Sequence, residues 1–594
     1  MKISKVHIKN FRNLKNISVQ ISGVTAIIGS NNSGKSNFLR ALTLPLLSED
    51  MGVGSKNLYW TDIGDEAKNE YYNFIKENRE LFYNDKIEVK DFELQIPKVA
   101  VTVEFTVEDS EIYSMKDFTV DFSEEGILQY QLSYSFACKN PKELLDHVVK
   151  VIKTAETNVD LDDLKLNLLP INLYSYSIFV PLKEKNMSYD NLKLLKYNSI
   201  QAERDEFSNN NTRLGSKPLV QLLNKKLTTS SLMKIETKYT DFFEQIKSLS
   251  GMDEVLNWHE HTEITNAQEF FSKISILPNM PPMTSLLNSV RLGFDDSLLA
   301  SQGLGYRNLI LQLVMINSLM EASDSLYSLL TIEEPEAHLC FENQQIMNSF
   351  ILNVIKGNND LQLIYSTHSL QFLDKLDLKN IILLNEGNGY AFCEEFTELE
   401  LNYLSKNPNL DLFKLFYSRS CILVEGISEE LLIKSYIKSR RNSLSNIEVI
   451  SFHKGFKKII EIWLKINKDT NNKLGIIRDF DNEPKAQQEH EIYNSYPNIF
   501  VKTTVNYTLE DEIVLQGSNY AILKEYFETN HLWSKIETPE LLSEKWKSSK
   551  AEIMLRFCLD IGSGVLKNIE LPQHIAKVIC SLERIEMEGE IVEN

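Results

Sequence analysis

Hydrophobic and polar residues alternate from the start of the chain, which predicts an opening strand over residues 2–9. A short apolar run over residues 24–28 predicts a second strand, and apolar residues at helical spacing from Ser36 onward predict a helix after it. Alternation over residues 99–105, and two β-like segments on either side of residues 124–126, predict further strands. We therefore expect the first part of the chain to be rich in β-structure.

The pattern changes to helical spacing from about residue 140. Residues 142–153, 160–169 and 218–249 are predicted to be helical, and residues 178–182 to form a strand. Further strands are expected at residues 289–294, 328–332, 362–365 and 381–384. Near the C-terminus, short buried strands at residues 421–424 and 474–477 alternate with helices, which predicts a parallel sheet and an α/β fold class.

These changes in pattern divide the chain into four predicted units. Residues 1–206 and 283–396 form two parts of one domain, residues 207–282 a helical insertion between them, and residues 397–594 a separate α/β domain. The prolines near residue 280 mark the end of the insertion. Such an insertion would suit self-association.

Composition indicates a globular protein outside the membrane. The hydrophobic fraction of 43% and the charged fraction of 25% are ordinary, and no apolar run reaches the roughly 20 residues that a membrane span needs. The first residues lack the apolar core of a signal peptide. The six cysteines are scattered without a CxxC pair, which fits a reducing compartment. We expect a cytoplasmic protein without a membrane partner.

The net charge of −20 at pH 7 excludes a basic footprint over the whole molecule. If the chain binds DNA, local basic patches and metal ions must neutralise the phosphates. Clusters such as Lys434 and Lys438 are candidates, although such a cluster is more often a solvated face.

A glycine-rich loop, Gly-Ser-Asn-Asn-Ser-Gly-Lys-Ser, follows the predicted strand at residues 24–28. Glycine lets the backbone approach closely, so the N–H groups of such a loop wrap phosphates. Lys35 would meet the β- and γ-phosphate oxygens, and the Ser36 hydroxyl would ligate Mg²⁺. The candidate ATP-binding residues of the loop are Asn31, Asn32, Ser33, Gly34, Lys35 and Ser36.

The acidic partner of this loop comes about three hundred residues later, at Glu333 and Glu334. Glu333 is expected to hold Mg²⁺ together with Ser36, and Glu334 to orient or deprotonate the attacking water. The gap is too wide for a compact P-loop domain and agrees with the predicted insertion.

Two further segments specify the class of ATPase. Ser301 and Gly303 lie at the start of a predicted helix, where free N–H groups bind anions, and His368 follows the next predicted strand. In this order they resemble the signature and the switch histidine of ABC-type ATPases, with Ser301, Gly303 and His368 contacting nucleotide. Such heads hydrolyse ATP between two glycine-rich surfaces, so the resemblance implies a homo-oligomer, either a dimer or a tetramer.

A second acidic group follows the predicted strands of the C-terminal domain. The carboxyl ends of parallel strands face a functional crevice, and carboxylate oxygens suit Mg²⁺ or Mn²⁺. One or two such ions could activate water and stabilise the leaving oxygen in phosphodiester cleavage. The candidate metal ligands are Glu425, Glu429, Asp479, Asp481, Glu510 and Glu512.

These motifs resemble a known family. Residues 8–14 resemble the opening of RecF- and SMC-like ATPases, whereas residues 29–37, 200–205 and 333–339 resemble the OLD (overcoming lysogenisation defect) nucleases. The second acidic group resembles a TOPRIM domain. The resemblance implies an ABC-type ATPase interrupted by a helical dimerisation insertion and followed by a TOPRIM nuclease domain. The family often has His-Pro where Cys340 and Phe341 stand here, and Gln302 precedes the signature glycine.

By this resemblance, the chain is an ATP-regulated, metal-dependent DNA endonuclease in bacterial anti-phage defence. Its catalytic residues would be Glu334, Glu425 and Lys550, with the lysine stabilising charge on the phosphate. Relatives work either with a helicase-like protein, as in Gabija-type systems, or with a retron reverse transcriptase and its DNA. The sequence does not distinguish these partners, nor whether ATP activates or restrains cleavage.

The motifs leave other functions open. An ATP-gated DNA-binding repair or clamp protein with an inactive TOPRIM domain is the main alternative, although the intact Glu425 and Asp479 argue against it. Strand passage and primer synthesis also use TOPRIM domains, but no obvious DNA-gate region follows this one. Nicotinamide binding is not supported, because the loop carries the Lys35-Ser36 pair of a nucleoside triphosphate site.

Overall fold

The computed structural model describes most of the chain. The described residues are 1–48, 56–120, 128–154, 160–181, 183–202, 216–249, 281–287, 290–320, 325–356, 361–406, 410–439, 447–452, 455–480, 484–506, 508–530, 532–533, 535–563, 566 and 568–583. Asp481 lies outside this set, as do residues 207–215 and 250–280 of the predicted insertion.

The strands among these residues are, in chain order, β1 (Lys2–Phe11), β2 (Leu14–Gln20), β3 (Val24–Ile28), β4 (Leu47–Ser48), β5 (Val99–Thr106), β6 (Thr119–Val120), β7 (Gln129–Cys138), β8 (Tyr174–Val180), β9 (Lys183–Asn186), β10 (Leu195–Ile200), β11 (Gly293–Phe294), β12 (Ser297–Leu298), β13 (Tyr327–Glu333), β14 (Leu361–Ser366), β15 (Ile381–Asn385), β16 (Asn388–Ala391), β17 (Ser420–Val424), β18 (Ile447–Ser451), β19 (Lys473–Arg478) and β20 (Ile499–Thr503).

The α-helices among them are α1 (Lys35–Thr43), α2 (Asp65–Glu77), α3 (Arg79–Tyr83), α4 (Val89–Gln95), α5 (Pro141–Thr154), α6 (Lys165–Leu168), α7 (Tyr189–Leu192), α8 (Ser216–Lys226), α9 (Thr229–Leu249), α10 (Met283–Leu287), α11 (Leu304–Met320), α12 (Phe341–Lys356), α13 (Phe392–Glu395), α14 (Glu398–Ser405), α15 (Ile427–Ser439), α16 (Phe456–Asn467), α17 (Pro484–Glu491), α18 (Leu509–Leu515), α19 (Asn519–Thr529), α20 (Pro539–Ser548), α21 (Lys550–Gly562) and α22 (Gln573–Glu583). None of the described helices is both long and apolar enough to cross a membrane.

The first sheet is antiparallel and is built from the N-terminal part of the chain. Its strand order is β2-β1-β5-β7-β8-β9, with β6 paired to β7. Along β5 every second side chain, from Val99 to Phe105, is buried, as its alternating sequence predicts. This sheet confirms the β-rich character expected of the first part.

The second sheet is mainly parallel and takes strands from both sides of the predicted insertion. Its order is β16-β15-β3-β14-β13-β10-β4, so β3 lies between two strands that come more than three hundred residues after it. Every residue of β14 is buried, as expected for a parallel strand covered on both faces. The glycine-rich loop and the acidic strand therefore belong to one domain.

The third sheet has four parallel strands in the order β18-β17-β19-β20, and confirms the predicted α/β domain. A continuous hydrophobic core connects it to the second sheet. Within this core the ring centroids of Phe392 and Phe416 lie 5.7 Å apart, and Trp463 Nε1 donates to the Leu415 carbonyl at 3.0 Å. The two domains are thus packed through buried aromatic side chains.

Two predicted elements were wrong in their extent. Residues 218–249 form α8 and α9 instead of one helix, because the Thr228 hydroxyl accepts a hydrogen bond from the Ser231 N–H at 3.3 Å and starts a new helix. Of residues 289–294, only Gly293–Phe294 forms a strand, paired with Ser297–Leu298 in a small hairpin outside the three sheets. A turn with Asp295 at a φ of 50° reverses the chain there.

Candidate functional site

The glycine-rich loop connects β3 to α1 at the carboxyl end of β3, an interior strand of the second sheet. Gly34 has a φ of +106°, and a Cβ at this position would lie 2.6 Å from Leu14 Cδ2. Asn31 and Asn32 are exposed on the loop, whereas Ser33 is buried and no described group bonds to its hydroxyl. An unsatisfied buried hydroxyl inside the loop fits a phosphate ligand, which would supply an acceptor.

Lys35 is folded into this loop. Its Nζ donates to the Gly29 carbonyl at 3.0 Å and to the Ser30 carbonyl at 2.9 Å. Burial lowers the pKa of Lys35 to about 8, although the charges of Glu334 and Glu336 oppose the shift. A phosphate would give this buried ammonium the anionic partner that two carbonyls do not provide. Ser36, the predicted magnesium ligand, is exposed at the start of α1.

The loop, the acidic pair and the switch histidine follow the carboxyl ends of three adjacent strands. Ser366 of β14 pairs with Ile27 of β3 on one side and with Glu333 of β13 on the other. His368 Nε2 lies 3.8 Å from Glu334 Oε1. Burial and the charge of Lys35 lower the pKa of His368 despite Glu334, which favours the neutral imidazole. The sheet therefore brings these predicted residues together.

Glu336 belongs to this site, although sequence reasoning gave it no role. Its Oε1 accepts hydrogen bonds from the N–H of His368 at 2.7 Å, the N–H of Ser369 at 3.2 Å and the Thr367 hydroxyl at 2.9 Å. Burial raises its pKa, while these hydrogen bonds oppose the shift. The carboxylate thus joins the acidic loop to the switch loop. Its place in the same acidic run as Glu333 was the only signal available.

The signature segment lies elsewhere. Ser301 Oγ donates to the Leu298 carbonyl at 2.6 Å, and a Cβ on Gly303 would meet nothing within 4 Å. Neither residue lines the cleft beside the glycine-rich loop. The structure therefore does not bring Ser301 and Gly303 to the loop of their own chain.

Four carboxylates meet at the carboxyl end of the third sheet: Glu425, Glu429, Asp479 and Glu510, here named the carboxylate cluster. Glu425 follows β17 and Asp479 follows the neighbouring β19. The Asp479 N–H donates to Glu425 Oε1 at 3.3 Å. Burial, and then the charges of Glu429 and Glu425, raise the pKa of Asp479 to about 8. Repulsion of this kind is relieved by a divalent cation.

Glu510 is the most enclosed member of the cluster, with an exposed fraction of 0%. Lys550 Nζ lies 3.1 Å from its Oε1. Apart from this ion pair, no described residue gives either carboxylate oxygen a hydrogen bond. A buried, under-coordinated carboxylate is costly unless a cation satisfies it, so the donor set fits a hard divalent metal. Lys550 was predicted at this site, and it lies beside the cluster at the start of α21.

Two other predicted ligands are placed differently. Glu512 Oε1 accepts hydrogen bonds from the Asn506 N–H at 2.5 Å and from Asn506 Nδ2 at 3.1 Å, which fixes the loop before α18. Asp481 lies outside the described residues. Within the described part of the chain, no three His, Cys, Asp or Glu side chains are arranged to hold a metal ion as they stand. Metal binding therefore stays a prediction.

Arg478 is a neighbour of the cluster that sequence reasoning missed. Its side chain is buried, its Nε lies 3.8 Å from Glu425 Oε1, and its Nη1 lies 2.9 Å from His490 Nδ1. The guanidinium balances part of the negative charge at this end of the sheet. Its position directly before Asp479 in the sequence was an available signal.

The chain is similar to known protein families and to a known endonuclease. Residues 1–373 match the model for an AAA ATPase domain, and residues 416–481 match the overcoming lysogenization defect protein-like TOPRIM domain. The endonuclease GajA of Bacillus cereus (strain HuB5-5) is 22% identical over 573 residues, covering 83% of this chain and 77% of GajA.

Solved structures give weaker likenesses. The SMC head domain from Thermotoga maritima is 13% identical, with 66% of this chain and 97% of that domain covered and a TM-score of 0.28. Stu0660 of Streptococcus thermophilus is 10% identical, with 68% and 80% covered and a TM-score of 0.29. With TM-scores this low, neither likeness supports a conclusion about the arrangement of the domains.

The two family matches agree with the geometry of both sites. The ATPase match spans more than half of the chain and contains Lys35 and Glu333, and the TOPRIM match contains Glu425, Glu429 and Asp479. They confirm the predicted α/β fold, a P-loop ATPase domain followed by a TOPRIM domain. The chain therefore belongs to the OLD family of nucleases, which join an ATPase domain to a TOPRIM domain.

Proposed function

We propose that this chain is an ATP-regulated, divalent-metal-dependent DNA endonuclease whose nuclease centre is the carboxylate cluster. The observation that carries the proposal is the environment of Glu510. Its carboxylate is fully buried, and the described residues give it one ion pair, with Lys550, and no further hydrogen bond. The relative GajA, which is named an endonuclease, supports the same reaction class.

A divalent metal, Mg²⁺ or Mn²⁺, would activate water and neutralise charge on the scissile phosphate when bound at this centre. Glu425, Glu429, Asp479 and Glu510 supply oxygen ligands, and Asp481 is the predicted addition to them. Glu512 holds Asn506 and would shape the centre through that loop.

Lys550 is the group that would stabilise charge on the phosphate. Its side chain is 42% exposed, so it can reach a substrate while it remains 3.1 Å from Glu510. Burial lowers its pKa, but the charge and hydrogen bond of Glu510 outweigh that effect and raise the pKa overall. The ammonium is therefore charged at neutral pH and can donate to a phosphate oxygen as negative charge develops.

In the ATPase domain, residues 31–36 would hold the phosphates, with Ser36 and Glu333 binding Mg²⁺. Glu334 would orient the attacking water, and the neutral His368 beside it would contact the γ-phosphate. Because Ser301 and Gly303 do not line the cleft of their own chain, we infer that they face the nucleotide of a second copy. The active ATPase is then a homo-oligomer, a dimer or a tetramer, held together by residues 207–282.

The proposal treats the chain as four units. Residues 1–206 and 283–396 are the two ATPase parts, residues 207–282 are the insertion, and residues 397–594 are the TOPRIM domain. The biological role that fits is cytoplasmic defence against phage. The partner would be a helicase-like protein or a reverse transcriptase with its DNA, and the substrate would be DNA.

The test is cleavage of supercoiled plasmid DNA with Mg²⁺ or Mn²⁺, with and without ATP. We expect Glu425→Ala and Asp479→Asn to abolish cleavage while ATP hydrolysis continues, and Lys35→Ala to abolish hydrolysis and alter the response of cleavage to ATP. Glu528→Gln, at an exposed carboxylate on α19, is the matched control and should behave as wild type.

Two outcomes would contradict the proposal. Cleavage that persists in Glu425→Ala and Asp479→Asn would exclude the carboxylate cluster as the nuclease centre. ATP-gated DNA binding without cleavage would favour a DNA-binding clamp with an inactive TOPRIM domain. Cleavage would have to be absent under every metal and nucleotide condition, and also with candidate partners added.

A further inference from the structure

A cleft of about 950 Å³ lies between the ATPase domain and the TOPRIM domain. Its ATPase side is formed by Asn31, Asn32 and His368, and by Arg12 and Asn13 of the turn between β1 and β2. This volume is in the range of about 300–1,000 Å³ that is usual for small-molecule sites. The cleft is therefore large enough for more than the phosphate chain of a nucleotide.

The opposite wall comes from the TOPRIM domain, where Tyr417, Ser418 and Arg419 precede β17. All three lie inside residues 416–481, the segment that matches the TOPRIM family. The wall also includes Gly387, from the turn between β15 and β16. The cleft is thus closed on one side by a domain that P-loop chemistry does not require.

The ATPase wall is fixed to the glycine-rich loop. Asn13 Nδ2 donates to the Asn32 carbonyl at 2.9 Å, and Asn37 Nδ2 donates to Asn13 Oδ1 at 2.8 Å. The Lys15 N–H donates to the Gly387 carbonyl at 3.1 Å, so the β15–β16 turn is held to the same side. The glycine-rich loop and the β15–β16 turn therefore lie on the same wall of the cleft.

The TOPRIM wall is equally fixed. The Lys473 N–H donates to the Arg419 carbonyl at 2.7 Å, which holds the wall to the first residue of β19. Buried Asn467 joins the domains, since its Oδ1 accepts from Asn385 Nδ2 at 3.2 Å and from Asn472 Nδ2 at 2.9 Å. Separating the two walls would break the buried Asn385–Asn467 hydrogen bond.

The charged side chains that line the cleft differ in the contacts they make. Arg12 is held by Asp62, at 2.7 Å from its Nε, and by Asn37, at 2.8 Å from its Nη1. On the TOPRIM side, Glu448 lies 3.7 Å from Lys414. The Arg419 side chain is exposed, and the described residues give its guanidinium neither a hydrogen bond nor an ion pair. A planar cation and the Tyr417 ring on one wall are suited to stacking on a base.

We propose that the nucleoside half of ATP binds in this cleft against Tyr417 and Arg419, so that one nucleotide contacts both the ATPase and the TOPRIM domains. The proposal rests on the proposed ATP site at the glycine-rich loop. It assigns to the TOPRIM domain a direct nucleotide contact, in addition to its metal centre. Nucleotide binding would then act on the TOPRIM domain through direct contact, without a relay through the rest of the ATPase.

The test compares the binding of ATP and of inorganic triphosphate by calorimetry, using the full chain in Mg²⁺. We expect Arg419→Ala to weaken ATP binding about tenfold and to leave triphosphate binding unchanged, because only the nucleoside half reaches the wall. Tyr417→Leu should act in the same direction. Lys577→Ala, which removes an exposed cation on α22 far along the TOPRIM sequence, is the matched control.

The outcomes separate this proposal from the one on which it rests. The TOPRIM contact would be overturned if Arg419→Ala and Tyr417→Leu both bound ATP with wild-type affinity while Lys35→Ala lost binding. That result would leave the ATP site intact. Equal weakening for ATP and triphosphate in Arg419→Ala would place the contact on the phosphates and also overturn it. ATP binding that survives Lys35→Ala would contradict the ATP site itself.

Discussion

The carboxylate of Glu336 accepts a hydrogen bond from the backbone N–H of His368 at 2.7 Å, across 32 residues of sequence. The same oxygen also accepts from Ser369 and Thr367, so one buried side chain holds the whole switch loop. The loop carries His368, which lies 3.8 Å from Glu334. Glu336 is therefore placed to position the switch through the residues of that loop.

Replacing Glu336 should slow ATP hydrolysis more than it weakens ATP binding. Glu336→Ala removes three hydrogen-bond acceptor contacts from the switch loop, and a displacement of about 1 Å at His368 costs on the order of 100-fold in kcat. Steady-state hydrolysis and equilibrium ATP binding measure the two effects separately. Glu336→Gln keeps an acceptor oxygen and should recover most of the activity, whereas Glu342→Ala, at an exposed carboxylate on α12, should change neither quantity. An Ala variant with wild-type kcat would exclude the positioning role.

Divalent metal should stabilise the TOPRIM domain through Glu510. A ligand at a hundred times its Kd stabilises the folded state by about 2.7 kcal/mol, so Mn²⁺ or Mg²⁺ should raise the Tm of the wild type by several degrees. Glu510→Gln removes the buried charge that a metal would satisfy, and this variant should show little or no such rise. The thermal shift is measured without DNA or ATP, so it is independent of activity. Equal shifts in wild type and Glu510→Gln would place the metal elsewhere.

The buried amide of Asn467 should matter for the stability of the domain contact. Asn467→Ala leaves the side-chain N–H groups of Asn385 and Asn472 without their acceptor, at a cost of roughly 2–4 kcal/mol. We expect a lower midpoint in urea unfolding and faster proteolysis between the two domains. Asn402→Ala, on α14, serves as the control for the loss of an amide outside this contact. Wild-type stability in Asn467→Ala would show that these hydrogen bonds contribute little.

Stability should also fall in mild acid because of His574. This histidine is 6% exposed, no described group bonds to either ring nitrogen, and burial lowers its pKa to about 4. In the unfolded chain its pKa is about 6.5, so between these values the unfolded state binds a proton that the native state does not. The free energy of unfolding is therefore at its full value, as far as His574 is concerned, above about pH 6.5. It decreases as the pH falls towards about pH 4, by up to an amount on the order of 3 kcal/mol.

Melting of His574→Leu at about pH 7 and about pH 5 tests this expectation. The variant should lose less Tm on acidification than the wild type. His147→Leu is the control, since that ring nitrogen lies 2.9 Å from the Asn167 carbonyl near the surface. The same acid response in all three proteins would rule out His574 as the cause.

Much of both sites could be predicted because short motifs determine local geometry. Glu333 ends a recognisable strand, and Lys35, Glu425 and Asp479 each come after one. Parallel strands of a sheet have their carboxyl ends on the same side. Glu336 could not be assigned a role, since its partners lie more than thirty residues away in sequence. The same is true of the Asn385–Asn467 contact, which joins two domains.

Helix geometry accounts for the different surroundings of Glu510 and Glu512. They are two residues apart on α18, so their side chains leave different sides of the helix. Glu510 consequently faces Lys550 and the cluster, whereas Glu512 faces Asn506. Neither Ser301 nor Gly303 lines the cleft of its own chain, so their predicted role depends on the second copy proposed above.

The position of β3 in the middle of the second sheet has a consequence for how the protein is made. Its neighbours β14 and β15 leave the ribosome more than three hundred residues after it, so the glycine-rich loop cannot gain its sheet until most of the chain has been synthesised. Contacts of such long sequence separation form slowly. A nascent or truncated chain that stops before residue 361 would carry the lysine of the ATP site but not a folded ATPase. Such a chain also stops before residues 416–481, the TOPRIM segment, so it would lack the proposed nuclease centre as well.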